Sequence, residues 1–95
     1  MDLEYDPAKE KANLRKHGVD FSTVPEVFAD PSRIIIPNAT HSTDDEKRFY
    51  VIGNDGRGIL TVRFTMRGKS IRVIGAGYWR KQAVLYEKNK IQNQL

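Results

Sequence analysis

The sequence has no cysteine, which excludes disulfide bonds, thiolate metal sites and cysteine nucleophiles. It also lacks long apolar runs, and the longest one, residues 34–37, is far too short to cross a bilayer. The N-terminal segment has no apolar stretch of the kind that a signal peptide needs. A chain of 95 residues predicts one domain over residues 1–95 with a single small core. We therefore expect a cytoplasmic protein with no membrane association.

Acidic residues are scarce in the second half of the chain. Residues 1–55 contain 7 Lys/Arg and 11 Asp/Glu, whereas residues 56–95 contain 9 Lys/Arg and a single acidic residue, Glu87. Such a concentration of positive charge creates a field that attracts polyanions and speeds their capture. The pattern therefore favours a nucleic-acid backbone or an acidic protein partner over a basic surface that only keeps the protein soluble.

Helix signals lie near both ends of the chain. A first helix is predicted over residues 7–17, with Asp6 as its N-terminal cap and Gly18 as its left-handed stop. A second helix is predicted over residues 23–30, where a capping box is followed by a proline in the first turn. Residues 79–92 have the apolar spacing of a third helix.

Alternating and β-branched segments predict strands between these helices. The strands are expected near residues 3–5, 33–37, 48–54, 59–66 and 70–75. The last three are joined by short turns that contain glycine, which predicts an antiparallel meander. The class is therefore α+β: an antiparallel β-sheet, a meander of three to four strands, with two N-terminal helices and one C-terminal helix packed on one of its faces.

Two arginines are predicted to share the open face of this sheet. Apolar residues at 60, 62 and 64 alternate with Arg63, and apolar residues at 71 and 73 alternate with Arg72. If the apolar sides face the helices, both guanidinium groups stand on the open face, where they can fork onto phosphate oxygens. In the alternative interpretation, each arginine pairs with a carboxylate of the acidic half, such as Glu46 or Glu26.

The only two histidines, His17 and His41, are candidates for proton transfer. His17 follows Lys16 at the end of the first predicted helix, where it can instead hydrogen-bond to the last carbonyl groups. His41 lies in a polar loop with Glu46 as its candidate partner, and it is a proton shuttle, a loop anchor or a residue without a specific role. Neither histidine has a carboxylate at ligand spacing, so we expect no metal and no cofactor.

Three stretches of the sequence together resemble a known family. They are DPAKEKANLRKHGVDF followed by EVFADP, then HSTDDEKRFYVIG, and finally TMRGKSIRVIGAGYWRKQAVLYEK. In this order they are similar to the N-terminal, central and C-terminal segments of the BrnT family of toxins. The resemblance covers residues 3–88.

This resemblance implies a compact α+β fold similar to the RelE superfamily of ribonucleases. It also implies a toxin of a type II toxin–antitoxin pair that acts on RNA as a metal-independent ribonuclease and shuts down translation. The implied partner is a cognate antitoxin with a ribbon-helix-helix DNA-binding domain. The complex would repress its own operon and would contact operator DNA only through the antitoxin.

Two segments depart from the family pattern. Many members end the last strand in Ser-Ala-Arg, where this sequence has Gly75-Ala76-Gly77, and many have His or Tyr and then Thr-Glu-Arg-Gly, where it has residues 64–68, FTMRG. The missing arginine favours an alternative function: a catalytically weak or inactive binding module that acts only in antitoxin binding and operon autoregulation. A further alternative is a plain nucleic-acid-binding domain in which Tyr50, Phe64, Tyr78 and Trp79 stack on bases, although core packing is the more common role of such aromatics.

Our leading prediction is the ribonuclease toxin. RNA cleavage without a metal needs a base that accepts the 2′-hydroxyl proton and a donor that protonates the leaving oxygen. It also needs cations that stabilise the negative charge of the pentacoordinate phosphorane. The candidate catalytic residues are His17, Lys16, Arg63, Arg72, His41 and Glu46. The candidate RNA phosphate-binding residues are Arg67, Lys69, Arg80 and Lys81.

Overall fold

Helices and strands follow one another in the order predicted from the sequence. The computed structural model describes residues 2–93. The elements are β1 (Asp2–Glu4), α1 (Pro7–His17), α2 (Val24–Ala29), β2 (Ile34–Pro37), a 3-10 helix (Ala39–His41), β3 (Arg48–Asn54), β4 (Ile59–Arg67), β5 (Ser70–Gly77) and α3 (Arg80–Asn93). The α+β class is therefore confirmed.

The strands form one five-stranded sheet in the order β1-β5-β4-β3-β2. Strands β2 to β5 pair antiparallel with their sequence neighbours, as the meander predicted. The prediction of a purely antiparallel sheet of three to four strands was wrong, because β1 adds a fifth strand parallel to β5, with Leu3 beside Ile71. Three residues of alternating polarity indicate a strand, but they carry no information about which sheet edge the strand joins.

Helix α1 has the two ends that its sequence predicted. The Asp6 carboxylate accepts a 2.9 Å hydrogen bond from the Ala8 N–H. At the other end, Gly18 adopts a left-handed conformation with φ of 70°. Its N–H donates a 2.9 Å hydrogen bond to the Leu14 carbonyl. Lys16 and His17 therefore occupy the last turn of α1, next to a sharp change in chain direction.

The side chain of Asn13 joins α1 to β5 beyond the end of β1. Its amide nitrogen donates to the carbonyl oxygens of Val19 at 2.9 Å and Ala76 at 2.8 Å. Its amide oxygen accepts a 3.2 Å hydrogen bond from the Ala76 N–H. Because β1 pairs only with residues 70–72, Asn13 occupies the edge of β5 that β1 leaves open. The end of α1 is thereby held beside the sheet.

The main core lies between one face of the sheet and α2 with the segment that precedes it. Apolar residues at 60, 62, 64, 71 and 73 all face this core, as predicted. Val19, Phe21, Val24 and Val27 cover them from the helical side. The alternation of side chains along a strand then places Arg63 on the opposite face.

Helix α3 packs on that opposite face, so the prediction that all helices cover one face was wrong. It contacts β3 and β4. Ile36, which lies on the Arg63 face by strand register, shares a groove with Gln82 and Leu85 of α3. Periodicity predicts that a helix has an apolar side, but it does not say which face of a sheet that side meets. None of the helices in residues 2–93 has the length and apolar character that a membrane span requires.

Candidate active site

A cavity of about 460 Å³ opens on the Arg63 face of the sheet, where α1 ends and α3 begins. Three elements build it: the last turn of α1, the paired strands β3 and β4, and the start of α3. The residues that line it are Lys16, His17, Tyr50, Arg63, Trp79 and Gln82. The structure thus brings together three of the predicted site residues, Lys16, His17 and Arg63, although Arg63 lies 47 positions after Lys16 in the sequence.

Arg63 lies flat across β5 because Gly75 has no side chain. A Cβ atom at Gly75 would be 2.6 Å from Nη2 of Arg63 and 3.2 Å from its Nε. Within the described residues, this Nε is buried and has no hydrogen-bond partner. An unpaired buried donor on a charged group costs free energy. The guanidinium group as a whole carries a positive charge at the cavity, where it can form charge-assisted hydrogen bonds with an anionic ligand.

Trp79 links Arg63 to His17. The guanidinium carbon of Arg63 is 6.0 Å from the centre of the Trp79 ring, a cation–π distance. The His17 and Trp79 rings meet edge to face, with their centres 5.3 Å apart and an angle of 89° between planes. Gly77 makes room for the indole, because a Cβ atom there would be 2.5 Å from the ring. We call the side chains of His17, Trp79 and Arg63 the site triplet.

A second, smaller cavity of about 200 Å³ adjoins the first and shares Lys16, His17 and Arg63 with it. It adds Lys9, Ala12, Asn13 and Ile74 to the lining. Among the described residues, no acidic side chain lines either cavity. The two cavities together form a path bordered by positive charge, which suits a chain of phosphate groups.

Arg72 lies on the same face as Arg63 but outside both cavities. Arg63 pairs with Gly75, whereas Thr65 pairs with Arg72, and a bulge separates the two pairs. Parallel β1 places Glu4 beside Arg72, and Nη1 of Arg72 is 3.8 Å from Oε1 of Glu4. Arg72 thus pairs with a carboxylate of the acidic half, but the partner is neither Glu46 nor Glu26. A sequence argument could not find Glu4, because the pairing of β1 was not predictable.

His41 and Glu46 line neither cavity. His41 is exposed at the end of the 3-10 helix. Glu46 is engaged with Arg48, whose Nε lies 3.6 Å from Oε1 of the carboxylate. The structure therefore places this predicted pair in the loop between β2 and β3, apart from the site triplet, and its catalytic role stays a prediction.

The predicted phosphate-binding residues lie in three exposed places. Arg67 and Lys69 flank Gly68 at the turn between β4 and β5. Arg80 begins α3 directly after Trp79. Lys81 lines a separate groove beside Ile36. None of the four lines the two cavities.

Sequence reasoning did not select Gln82, and it named Tyr50 and Trp79 only as base-stacking candidates of the nucleic-acid-binding alternative. The overlooked signal is the spacing of Gly75 and Gly77, which lie two positions apart on one strand and so leave the same face bare. A strand segment without side chains on one face leaves space in which neighbouring side chains can pack directly against the backbone. Here Arg63 and Trp79 occupy that space.

Tyr78 holds the chain in place immediately before Trp79. Its hydroxyl donates to the Asp55 carboxylate, which also accepts from the Thr23 hydroxyl at 2.8 Å and the Arg57 N–H at 2.8 Å. Burial opposes the charge of Asp55, but these hydrogen bonds outweigh it and lower the pKa of the carboxyl. Burial and the bond to Asp55 raise the pKa of Tyr78 to about 12. Tyr78 therefore stays protonated at neutral pH and acts as an anchor for Trp79.

Comparison with known proteins adds one result. A family model described as "Ribonuclease toxin, BrnT, of type II toxin-antitoxin system" matches residues 5–83. The matched range contains every residue that lines the larger cavity. No curated protein matches the chain.

Proposed function

The chain belongs to the BrnT family, the ribonuclease toxins of type II toxin–antitoxin systems, and we propose that the cavity of the site triplet is its ribonuclease active site. The resemblance seen in the sequence is thereby confirmed, and the family implies a cognate antitoxin as partner. Our proposal is more specific: a metal-independent endoribonuclease with a RelE-like fold that acts in the cytoplasm and inhibits translation. Its antitoxin carries a ribbon-helix-helix domain and makes the contacts to operator DNA.

The observation that carries this proposal is Arg63, which lines the cavity and whose Nε is buried and unpaired within the described residues. In metal-independent cleavage, the 2′-oxygen of RNA forms a bond to the adjacent phosphorus while the bond to the 5′-oxygen breaks. Negative charge builds up on the non-bridging phosphoryl oxygens in the transition state of this displacement. A donor that is already desolvated and fixed in position stabilises this charge more than a mobile surface donor does.

We assign the remaining roles by position. His17 accepts the proton that the 2′-hydroxyl loses, since imidazole exchanges protons near neutral pH. Lys16 also lines the cavity, and its ammonium group supplies positive charge and a proton for the leaving 5′-oxygen. The balanced products are a 2′,3′-cyclic phosphate and a 5′-hydroxyl. Arg63 stays a fixed cation throughout.

Tyr50 and Trp79 give the cavity two aromatic side chains for a nucleobase. A nucleobase can stack on these rings only if it is outside a duplex, because the faces of a base inside a duplex are already covered by its neighbours. We therefore propose single-stranded RNA, or a loop in a folded RNA, as the substrate.

The test is cleavage of a 5′-labelled single-stranded RNA by the purified chain in the presence of EDTA. Arg63→Gln should cut about 100-fold more slowly or worse, the loss typical of removing one fixed donor to a developing oxyanion. The matched control is Arg15→Gln, an exposed arginine of α1 that lines neither cavity. Equal rates for both variants would remove Arg63 from the site, and loss of cleavage in EDTA would reject metal independence.

The family resemblance offers one point in favour of the second candidate, an inactive binding module: Gly77 stands where the Ser-Ala-Arg pattern of the family places its arginine. The structure offers a counter-argument, because the glycines provide the space in which Arg63 and Trp79 lie. Expression of the chain without its antitoxin distinguishes the two functions. Growth arrest with loss of RNA supports the ribonuclease, whereas normal growth of cells that contain soluble, antitoxin-binding protein supports the binding module.

A further inference from the structure

Helix α3 presents an apolar face that no other described element covers. Val84 and Leu85 are each 44% exposed, although both are large aliphatic side chains. Together with Ile36 of β2 they line a groove of about 350 Å³. Ile91, which is 59% exposed, continues the apolar surface toward the end of the helix. Exposed aliphatic side chains that lie side by side are typical of a surface that binds a partner.

A lysine stands at each end of this groove. Lys81, Val84, Leu85 and Lys88 follow the spacing i, i+3, i+4, i+7 and so share one side of α3. With a rise of about 1.5 Å per residue, the two lysines are roughly 10 Å apart along the helix. Neither lysine belongs to an ion pair found within residues 2–93. We call these four residues and Ile36 the α3 groove.

We propose that the α3 groove binds an acidic amphipathic segment of the antitoxin. The segment would place aliphatic side chains between Val84, Leu85 and Ile36, and carboxylates against Lys81 and Lys88. The inference rests on the proposed function in that it takes the antitoxin as the partner. It does not depend on the chemistry assigned to the site triplet.

Two other occupants fit the groove less well. RNA could pair its phosphates with the lysines, but the aliphatic floor offers nothing to its sugars and would stay exposed. A second copy of this chain, packed symmetrically through α3, would bring the lysines of one copy against those of the other, and like charges repel. An acidic segment satisfies both the apolar floor and the charged ends, and an association steered by opposite charges is fast.

The groove lies next to the proposed active site, because Gln82 lines both it and the larger cavity. An antitoxin segment in the groove therefore sits one side chain away from the RNA path. This proximity offers a direct way to neutralise the toxin: the bound segment, or the chain that continues from it, blocks entry to the cavity.

The test measures the affinity of the purified full chain for its purified cognate antitoxin. The double variant Lys81→Glu/Lys88→Glu should bind at least 100-fold more weakly, and Leu85→Ser about 10-fold more weakly, by the loss of apolar contact. The control for charge is Lys11→Glu/Arg15→Glu, an equal reversal on the exposed side of α1 that should change affinity less than threefold. Thermal unfolding of each variant shows whether it is folded.

Three results would overturn the inference: equal weakening by both double variants, loss of RNA binding without loss of antitoxin binding, or a wild-type dimer that Leu85→Ser dissociates while antitoxin affinity is unchanged. Absence of binding by the wild-type chain would overturn it as well. The proposed function fails separately. If Leu85→Ser weakens antitoxin binding in a chain that never cleaves RNA, the groove is supported and the ribonuclease assignment is not.

Discussion

Tyr86 donates a 2.6 Å hydrogen bond to Asp30, a residue 56 positions earlier in the chain. The same carboxylate accepts from the N–H of Asn54 at 2.8 Å and from the N–H of Ser32 at 2.8 Å. One side chain therefore joins the end of α2, the end of β3 and the middle of α3. Because α3 also borders the proposed active site, this carboxylate helps to fix the wall of the cavity.

Removing the Tyr86 hydroxyl should destabilise the protein. Tyr86→Phe keeps the buried ring but takes a hydrogen bond from a carboxylate, so we expect the free energy of unfolding to fall by about 1.5–3 kcal/mol. Urea denaturation followed by circular dichroism measures the change. Tyr5→Phe is the control, since Tyr5 is exposed and its hydroxyl has no partner among the side-chain hydrogen bonds of the described residues. Similar losses for both variants would contradict this role of Asp30.

Acid should unfold the protein partly through Asp30 and Asp55. Burial raises the pKa of each carboxyl, but their hydrogen bonds outweigh it, and the net shift is below the ordinary 3.8. A lowered folded-state pKa contributes stability that is complete above pH 3.8 and is lost as the pH falls through the folded-state value. Stability measured from pH 6 down to pH 2 should therefore drop steeply below pH 4, and Asp30→Asn should make that drop shallower. An unchanged slope would show that other groups control acid unfolding.

The raised pKa values of two tyrosines predict that the protein also loses stability at alkaline pH. Burial and the neighbouring carboxylates raise the pKa of Tyr78 and of Tyr86 to about 12. Each phenol therefore contributes stability that is complete below pH 10 and is lost as the pH rises toward 12. Absorbance at the phenolate band should show a late titration phase from Tyr78 and Tyr86. Tyr78→Phe/Tyr86→Phe should abolish that late phase, whereas titration of all tyrosines near pH 10 would contradict it.

Gly77 should be required for activity although it has no functional group. In Gly77→Ala the new methyl would overlap the Trp79 ring, which has to move away from Arg63 and His17. We expect a red shift of the fluorescence of this single tryptophan and a loss of RNA cleavage of about tenfold or more, since small misplacements of catalytic groups are costly. Gly58→Ala is the control, because a Cβ atom there makes only an ordinary 3.5 Å contact with Tyr78.

The contrast between α1 and β1 shows how much the sequence predicts. The ends of α1 follow from local chemistry at Asp6 and Gly18, and both were predicted correctly. The pairing of β1 depends on a contact with β5 that is 68 residues away, and no local signal specifies it. The site divides in the same way: Lys16, His17 and Arg63 could be chosen for their chemistry. Trp79 reaches the cavity because its indole packs on β5 where Gly75 and Gly77 leave the strand without side chains.

Asn13 supports the most demanding prediction, because its buried side-chain amide connects α1 to backbone groups of β5 and of the loop that follows α1. Its three hydrogen bonds join it to the Val19 carbonyl and to both backbone groups of Ala76. Asn13→Ala would leave these buried groups without partners, and we expect the free energy of unfolding to fall by about 2–4 kcal/mol. Asn89→Ala, which removes an amide without side-chain hydrogen bonds in the described part of the chain, should cost less than about 1 kcal/mol.

The same substitution should also reduce catalysis at temperatures where the protein is folded, because Asn13 holds the last turn of α1, and with it Lys16 and His17, against the sheet. We expect kcat for RNA cleavage to fall more than KM rises, since positioning matters most in the transition state. Hydrogen exchange should show faster opening of the Ala76 N–H in Asn13→Ala. A variant that is less stable but cleaves with wild-type kcat would show that α1 is positioned by its other contacts with β5, and that the Asn13 amide serves stability alone.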